Sequence, residues 1–331
     1  MSIFHLSGTM NQTTHNSRPE HTPADIEQRE LQWWQQFAEL EQRFAWVQTP
    51  AIQKILRSHY VREIVKYAGR EGRILELGCG VGWLCFALAE SGAKEVFGVD
   101  FSPAQIDMAQ RRAESLGLTH RLHFRCADGT QNGTGKELFD CVVVHGFLHH
   151  LNQTEIRRTL AGVPGMLKPG GRLVVFEPVC HPVRNGGVHP MKLKLHNFLK
   201  QLAHRGQRSG ICRVSAGEKH WHDLFAQRNQ GIPPHGPSPK EMPFAPGELE
   251  GFLTPYFNIE RQQVCLVNAH LVMQEWLLRE LSHPRSTRWL LPWVARAAAW
   301  LDRGLVKQVE LLPDTWVFNM WVCRPCVCHE K

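Results

Sequence analysis

The sequence predicts an α/β fold: a doubly wound, mostly parallel, seven-stranded sheet with N-terminal helices and a helical cap built from insertions. Three observations predict it. Between residues 71 and 179, short apolar runs alternate with helical periods, as parallel strands and their crossover helices do. The first apolar run, Ile74, Leu75 and Leu77, passes straight into Gly78, Gly80 and Gly82. Acidic residues, Asp100 and Asp128, then close the next two strands, at the carboxyl edge where open α/β sheets bind ligands.

The elements follow in order. Residues 1–24 are polar and read as a disordered tail. Residues 25–70 read as two helices: Trp33, Trp34, Phe37 and Phe44 recur near a 3.6 period, and Ile52 to Gly69 forms the second. Strand one spans Arg73 to Leu77, and Trp83 to Glu90 is the helix behind the glycine turn, stopped at Ser91-Gly92. Strand two ends at Asp100. Ser102 and Pro103 read as N-cap and first-turn residue of a helix that ends at Gly117. Leu122 to Cys126 is strand three, and Phe139 to Val144 is strand four. A helix from Glu155 to Leu167, a tight turn at Lys168–Gly171 and a fifth strand from Arg172 to Glu177 complete the run to residue 179.

After Pro178 the alternation breaks. Residues 180–244 form a basic helical cap insertion, in which eight Lys and Arg residues between Cys180 and His222 face a single acid, Glu218. Met191, Leu195, Phe198 and Leu202 mark one face of a basic amphipathic helix there. Such a helix packs as a lid or lies on an anionic membrane. Residues 245–331 resume the core, with strands at Phe257–Val267 and Thr315–Cys323 around a second helical insertion at about 268–312. Tryptophans outside the core, among them Trp289, Trp293 and Trp300, are candidates to line an apolar acceptor pocket.

Composition bounds the setting. A chain of 331 residues with 43% hydrophobic content suffices for one large core plus a cap. No run of eighteen apolar residues occurs, and residues 1–24 lack an apolar signal region. The ten cysteines are scattered, which suits reduced thiols and a cytoplasmic setting. Cys323, Cys326, Cys328 and His329 have metal-like spacing, but Cys323 sits in a strand and no second ligand pair stands elsewhere, so no metal is expected.

The glycine turn narrows the ligand. A dinucleotide fingerprint needs G-x-G-x-x-G, whereas here G-x-G-x-G is followed by the bulky Trp83, and a phosphate loop's Gly-Lys-Ser/Thr is absent. The run Glu76-Leu-Gly-Cys-Gly-Val-Gly82, with Leu167-Lys-Pro-Gly-Gly171 before the fifth strand, resembles the class I S-adenosylmethionine (SAM)-dependent methyltransferases, whose sheet is Rossmann-like. The segment Leu148-His-His-Leu151 resembles the small-molecule enzymes related to the ubiquinone and menaquinone group.

That resemblance implies SAM as cofactor and a set of roles. Gly78, Gly80 and Gly82 would let backbone approach the methionine and ribose parts, with Glu76 orienting the loop or attracting the cationic ligand. Asp100 would accept both ribose hydroxyls, Phe101 would lie along the adenine, and Asp128, with Ala127 beside it, would accept from the adenine amine. His145 and Gly146 would line the sulfonium side. In folds of this kind the N-terminal helices close over the ligand or cap the sheet edge.

Methyl transfer needs positioning first and a base second. The candidate bases are His149, His150 and Glu177. On a helix start, adjacent histidines point about 100° apart, so at most one of the two is expected to face the site. The expected acceptor is a small apolar or anionic metabolite, methylated at O, N or C. A peptide or lipid acceptor, or a non-catalytic scaffold that keeps the fold, are the alternatives. Nucleic acid is disfavoured, because strand four is followed by His145-Gly-Phe-Leu and not by the Pro-Pro-aromatic motif of amino-methylating DNA enzymes, and no Pro-Cys nucleophile follows that strand.

Overall fold

The computed structural model describes residues 23–42, 54–55, 57–69, 71–129, 138–180, 240, 242–267, 289, 292–293, 296–297, 300 and 316–326. The expectations for residues 1–22, for nearly all of the basic cap and for most of the second insertion lie outside the described residues. So does the stretch from Ile52 to Gln53 of the second expected helix.

Seven strands form one sheet in the order β3-β2-β1-β4-β5-β7-β6. They are β1 (Arg73–Leu77), β2 (Glu95–Asp100), β3 (Leu122–Cys126), β4 (Phe139–His145), β5 (Leu167–Cys180), β6 (Phe257–Val267) and β7 (Trp316–Pro325). The pairs β1–β2, β2–β3, β1–β4 and β4–β5 are parallel. Strand β7 runs antiparallel between β5 and β6. This is the doubly wound, mostly parallel sheet that the alternation predicts.

The helices are α1 (Pro23–Gln42), α2 (Ser58–Ala68), α3 (Trp83–Glu90), α4 (Pro103–Ser115), α5 (Gln153–Gly162) and α6 (Glu248–Leu253). Strand alternation sorts the core into two layers. Ile74, Val143, Val174 and Phe176 pack with Tyr60, Ile64, Leu84 and Phe86 of α2 and α3. Leu75, Leu77, Val142, Val144 and Val175 point the other way, onto Ile156 and Leu160 of α5 and Leu249 of α6. The central strands are therefore buried on both faces, which is why they read as unbroken apolar runs.

Three local expectations need correction. Ser102 precedes α4 but makes no side-chain cap; its hydroxyl is buried and partnerless, while its N–H donates to Asp100 Oδ1 at 2.9 Å. Helix α5 begins at Gln153, where Asn152 and Glu155 form a reciprocal capping box, and it yields to a 3₁₀ turn at Val163–Met166. Lys168–Gly171 is a bulge within β5: Leu167 already pairs with Phe139, and the register slips before Arg172 meets Cys141. Among the described residues no helix is long and apolar enough to cross a membrane.

Candidate active site

A cavity of about 520 Å³ opens at the carboxyl edge of β1, β2 and β4. Its floor is the glycine turn. Gly78 and Cys79 both donate their N–H to the Val99 carbonyl, at 2.8 and 3.0 Å, which bends the chain sharply off β1. Gly78 has φ +72° and Gly80 φ +55°, a region that favours glycine. A Cβ at Gly78 would sit 2.5 Å from the Phe147 ring, and one at Gly80 would sit 2.7 Å from Gln105 Oε1. Both glycines thus keep backbone exposed to the cavity. Gly82 departs from the expected role. It does not line the cavity; its Cβ would strike the Phe124 ring at 2.8 Å, so it serves packing at the left-handed entry to α3.

Asp100 braces that turn. Its Oδ2 accepts the Gly80 N–H at 2.8 Å while Oδ1 accepts from Ser102. Each oxygen keeps a lone pair for a hydroxyl. Burial pushes its carboxyl above the usual range, and the backbone N–H donors pull the other way. Phe101, 37% exposed, and Asp128 also line the cavity. Ala127 does not; it packs with the layer of Leu75 and Leu77 and donates its N–H to the Asp100 carbonyl.

Glu76 is buried, lines the cavity at the turn and accepts the Cys85 thiol proton on Oε2 at 2.9 Å. Burial raises its pKa to about 8, against the lowering effects of Cys85 and Arg57. In the ligand-free protein at neutral pH this carboxyl is therefore mostly protonated. That has a consequence for stability. Between the ordinary carboxylate value and about 8, the folded state holds a proton that the unfolded chain has released, so stability falls as pH rises. Buried Glu177, raised to about 7, adds the same sign up to that pH. His145, held well below 6.5 by desolvation, acts oppositely, but only below 6.5. Thermal unfolding of ligand-free protein is expected to show a falling midpoint from pH 6.5 to 8. The slope should approach about 1.4 kcal/mol per pH unit for each proton involved. Glu76→Gln should flatten it, and a midpoint that rises over this interval contradicts a protonated Glu76.

The other wall is the 3₁₀ turn Leu148–His150 at the end of β4. Glu177, on neighbouring β5, is fully buried and organises it. Its Oε1 accepts the N–H groups of Phe147 and Leu148 at 2.8 and 2.7 Å, and its Oε2 lies 2.7 Å from His149 Nδ1. Burial lifts the Glu177 carboxyl, and these donors lower it. Glu177 does not itself line the cavity, whereas His149 does. A Cβ added at Gly146 would meet His149 Cε1 at 3.8 Å, which sets the imidazole edge beside Gly146.

Both histidines line the cavity, contrary to the expectation that at most one would. Their ring centroids lie 4.1 Å apart. The cause is α1. Glu30, buried on that helix, reaches His150 Nδ1 at 3.2 Å with Oε1, which also accepts the Trp34 indole N–H at 2.8 Å. Its Oε2 accepts the Lys240 backbone N–H at 3.0 Å. Lys240 in turn bridges Glu27 and Glu155. Helix α1 therefore closes one side of the cavity, and this mouth is rich in carboxylates.

His145, at the tip of β4, is half-buried between Tyr60 and Phe318, its ring stacked on Phe318 at 5.7 Å. Its Nε2 has no partner, and burial with nearby Arg57 keeps it neutral. Arg57, the residue before α2, also lines the cavity and escaped sequence reasoning; a lone arginine on an amphipathic segment carries no motif. Trp34 and Trp83 line the cavity, but Trp289, Trp293 and Trp300 are exposed, with 65–69% of their surface open. Cys323 is a buried β7 thiol pushed up to about 12, and no cluster of three metal-ligating side chains occurs among the described residues.

A family profile described as a methyltransferase domain matches residues 74–171, the span that holds the glycine turn, Asp100 and the histidine pair. Domains of this class use SAM as methyl donor, and the backbone-lined glycine cradle beside Asp100 fits it. A demethylmenaquinone methyltransferase of Clavibacter sepedonicus is 37% identical over 122 residues, 37% of this chain and 46% of its own. Methyltransferase GfsG of Streptomyces halstedii is 32% identical over 108 residues, 32% of this chain and 38% of its own. A ubiquinone biosynthesis O-methyltransferase of Coxiella burnetii is 31% identical over 118 residues, 36% of this chain and 47% of its own. The chain spans less than half the length of these curated relatives.

Proposed function

We propose that this chain is a SAM-dependent methyltransferase acting at an O–H, N–H or acidic C–H of a small acceptor, with His149 as general base. The observation that carries this reading is that one cavity joins the glycine turn and Asp100 to a histidine whose far nitrogen is set by a buried carboxylate. When bound, SAM supplies an activated methyl group on a sulfonium.

This chain's own residues do the rest. Asp100 offers both oxygens to the ribose hydroxyls, Phe101 lies along the adenine and Asp128 accepts from its amine. Backbone at Gly78, Gly80 and Gly146, with the neutral ring of His145, surrounds the methionine and sulfonium side. Ala127 and Gly82 support these groups from behind. Glu177 holds the proton of His149 on Nδ1, which leaves Nε2 as the basic nitrogen. That nitrogen takes the proton the acceptor loses as its new bond to carbon forms. Glu177 is a positioning residue in this scheme, because its oxygens are engaged by Phe147, Leu148 and His149. His150 is held by Glu30 and shapes the acceptor end with Trp34. A cavity of this size suits a small ligand, typically about 300–1,000 Å³.

The test is calorimetric titration of S-adenosylhomocysteine into the wild type and Asp100→Ala. Micromolar binding by the wild type, lost in the variant, is expected. Labelled SAM with cell extracts then identifies the acceptor. A folded wild type that binds neither S-adenosylhomocysteine nor SAM overturns the proposal.

A further inference from the structure

We propose that the tryptophan face of residues 289–300 docks this protein on the surface of an anionic lipid bilayer. Trp289, Trp293 and Trp300 are 69%, 65% and 67% exposed, the most open large apolar side chains among the described residues. None of them lines the cavity, so this surface is separate from the site above and does not depend on the methyltransferase reading. Residues 292–293, 296–297 and 300 are helical. At about 100° per residue, Trp300 falls about 20° from Trp293, and Trp289 falls about 40° from it on the other side, so the three indoles share one face. Arg296 and Ala297 are exposed beside them, and the Arg296 guanidinium carbon lies 5.5 Å from the Trp293 ring centroid.

The chemistry of this face fits a lipid surface. An indole has a large apolar body and one polar N–H, which suits the depth of the headgroups, where one end is dry and the other wet. Arginine stacked on such a ring keeps its charge toward the phosphates while its stem covers apolar surface. The charge around the stretch has one sign: between residues 285 and 307 the sequence carries Arg285, Arg288, Arg296, Arg303 and Lys307 against Asp302 alone. An anionic leaflet complements that balance. A second copy of this chain does not, because a two-fold contact would bring the same cations face to face. The stretch lies on the bilayer and does not cross it. Twelve helical residues reach about 18 Å, short of a hydrocarbon core of about 30 Å. No helix among the described residues is long and apolar enough to span a membrane. A short helix with aromatic side chains on one face and basic flanks has the make-up of an interfacial anchor.

The experiment sediments the full chain with vesicles of phosphatidylcholine, alone or mixed with phosphatidylglycerol, and follows tryptophan emission in parallel. The wild type is expected to pellet with the mixed vesicles, to bind phosphatidylcholine alone about tenfold or more weakly, and to shift its emission to the blue as the indoles leave water. A variant with Trp289→Ala, Trp293→Ala and Trp300→Ala should lose about tenfold or more in vesicle affinity and lose the shift. Its thermal midpoint and its binding of S-adenosylhomocysteine should match the wild type. If the triple variant does not fold, Trp293→Ala alone carries the test, with an expected loss of several-fold. Vesicle binding unchanged by these substitutions overturns the proposal and leaves the basic stretch between Cys180 and His222 as the lipid contact. A wild type that ignores both kinds of vesicle overturns it too. So does a wild type that dimerises through these tryptophans and stays off the vesicles, which sedimentation velocity of wild type and variant would reveal.

Discussion

Replacing His149 with alanine is expected to lower kcat by about 10²–10⁴-fold while leaving the Kd for S-adenosylhomocysteine within a few-fold of the wild type. The split follows from position. His149 lines the cavity next to Gly146, whereas the glycine turn proposed to cradle the cofactor is braced by Asp100. Glu177→Gln should fall in the same direction for a different reason. Its carbonyl oxygen still accepts the Phe147 and Leu148 N–H groups, but its amide then donates to His149 Nδ1. That reverses the tautomer and turns Nε2 into a donor. The wild-type rate should rise with pH as Glu177 ionises near 7 and level off above it, because only the ionised carboxylate holds the proton on Nδ1. In Glu177→Gln that rise should disappear. Measurement of kcat against pH in the three proteins decides the matter, and unchanged turnover in His149→Ala removes it as the base.

The second large effect belongs to Gly78. Its φ of +72° and the Phe147 ring 2.5 Å from a built Cβ mean that Gly78→Ala suffers twice. The left-handed backbone alone costs about 1–2 kcal/mol, and overpacking against an aromatic ring adds about 1–3 kcal/mol. The damage also spreads, because Phe147 N–H is one of the three donors on Glu177. Moving that ring disturbs the histidine wall as well as the glycine floor of the cavity. Gly117→Ala is the matched control: φ is +66° and nothing lies within 4 Å of its Cβ. Denaturant unfolding should show the control losing about 1–2 kcal/mol with cofactor affinity intact. Gly78→Ala should lose more and bind S-adenosylhomocysteine at least tenfold more weakly. Equal losses in the two variants would show that Phe147 yields freely.

What sequence reasoning captured is what local pattern encodes. Ile74 to Leu77, the glycine turn and Asp100 are contiguous or separated by one helix, so period and turn chemistry reveal them. What it missed depends on contacts between distant segments. Glu177 reaches residues 147–149 only because β5 pairs with β4, and its full burial could not be read from a strand-end position. The two histidines share the cavity because Glu30, about 120 residues earlier, pulls one of the rings. Gly82 looked like its neighbours until Phe124, from β3, stood against it. Ser102 had the composition of a cap, but its backbone was taken by Asp100, and its hydroxyl was left without a partner.

The place of β7 has a bearing on how the molecule is made. It inserts between β5 and β6, pairing Leu173 with Cys323 and Phe257 with Pro325. Every other described strand leaves the ribosome before it. Until residues 316–326 emerge, β5 presents an open edge and β6 has no neighbour in the sheet to join. An exposed edge of this kind invites pairing with other chains, and contacts across some 150 residues form slowly. The same late strand delivers Phe318, which stacks on His145 at the cavity. A nascent or truncated chain that stops before β7 therefore has the whole glycine turn in place and still lacks a finished cavity wall.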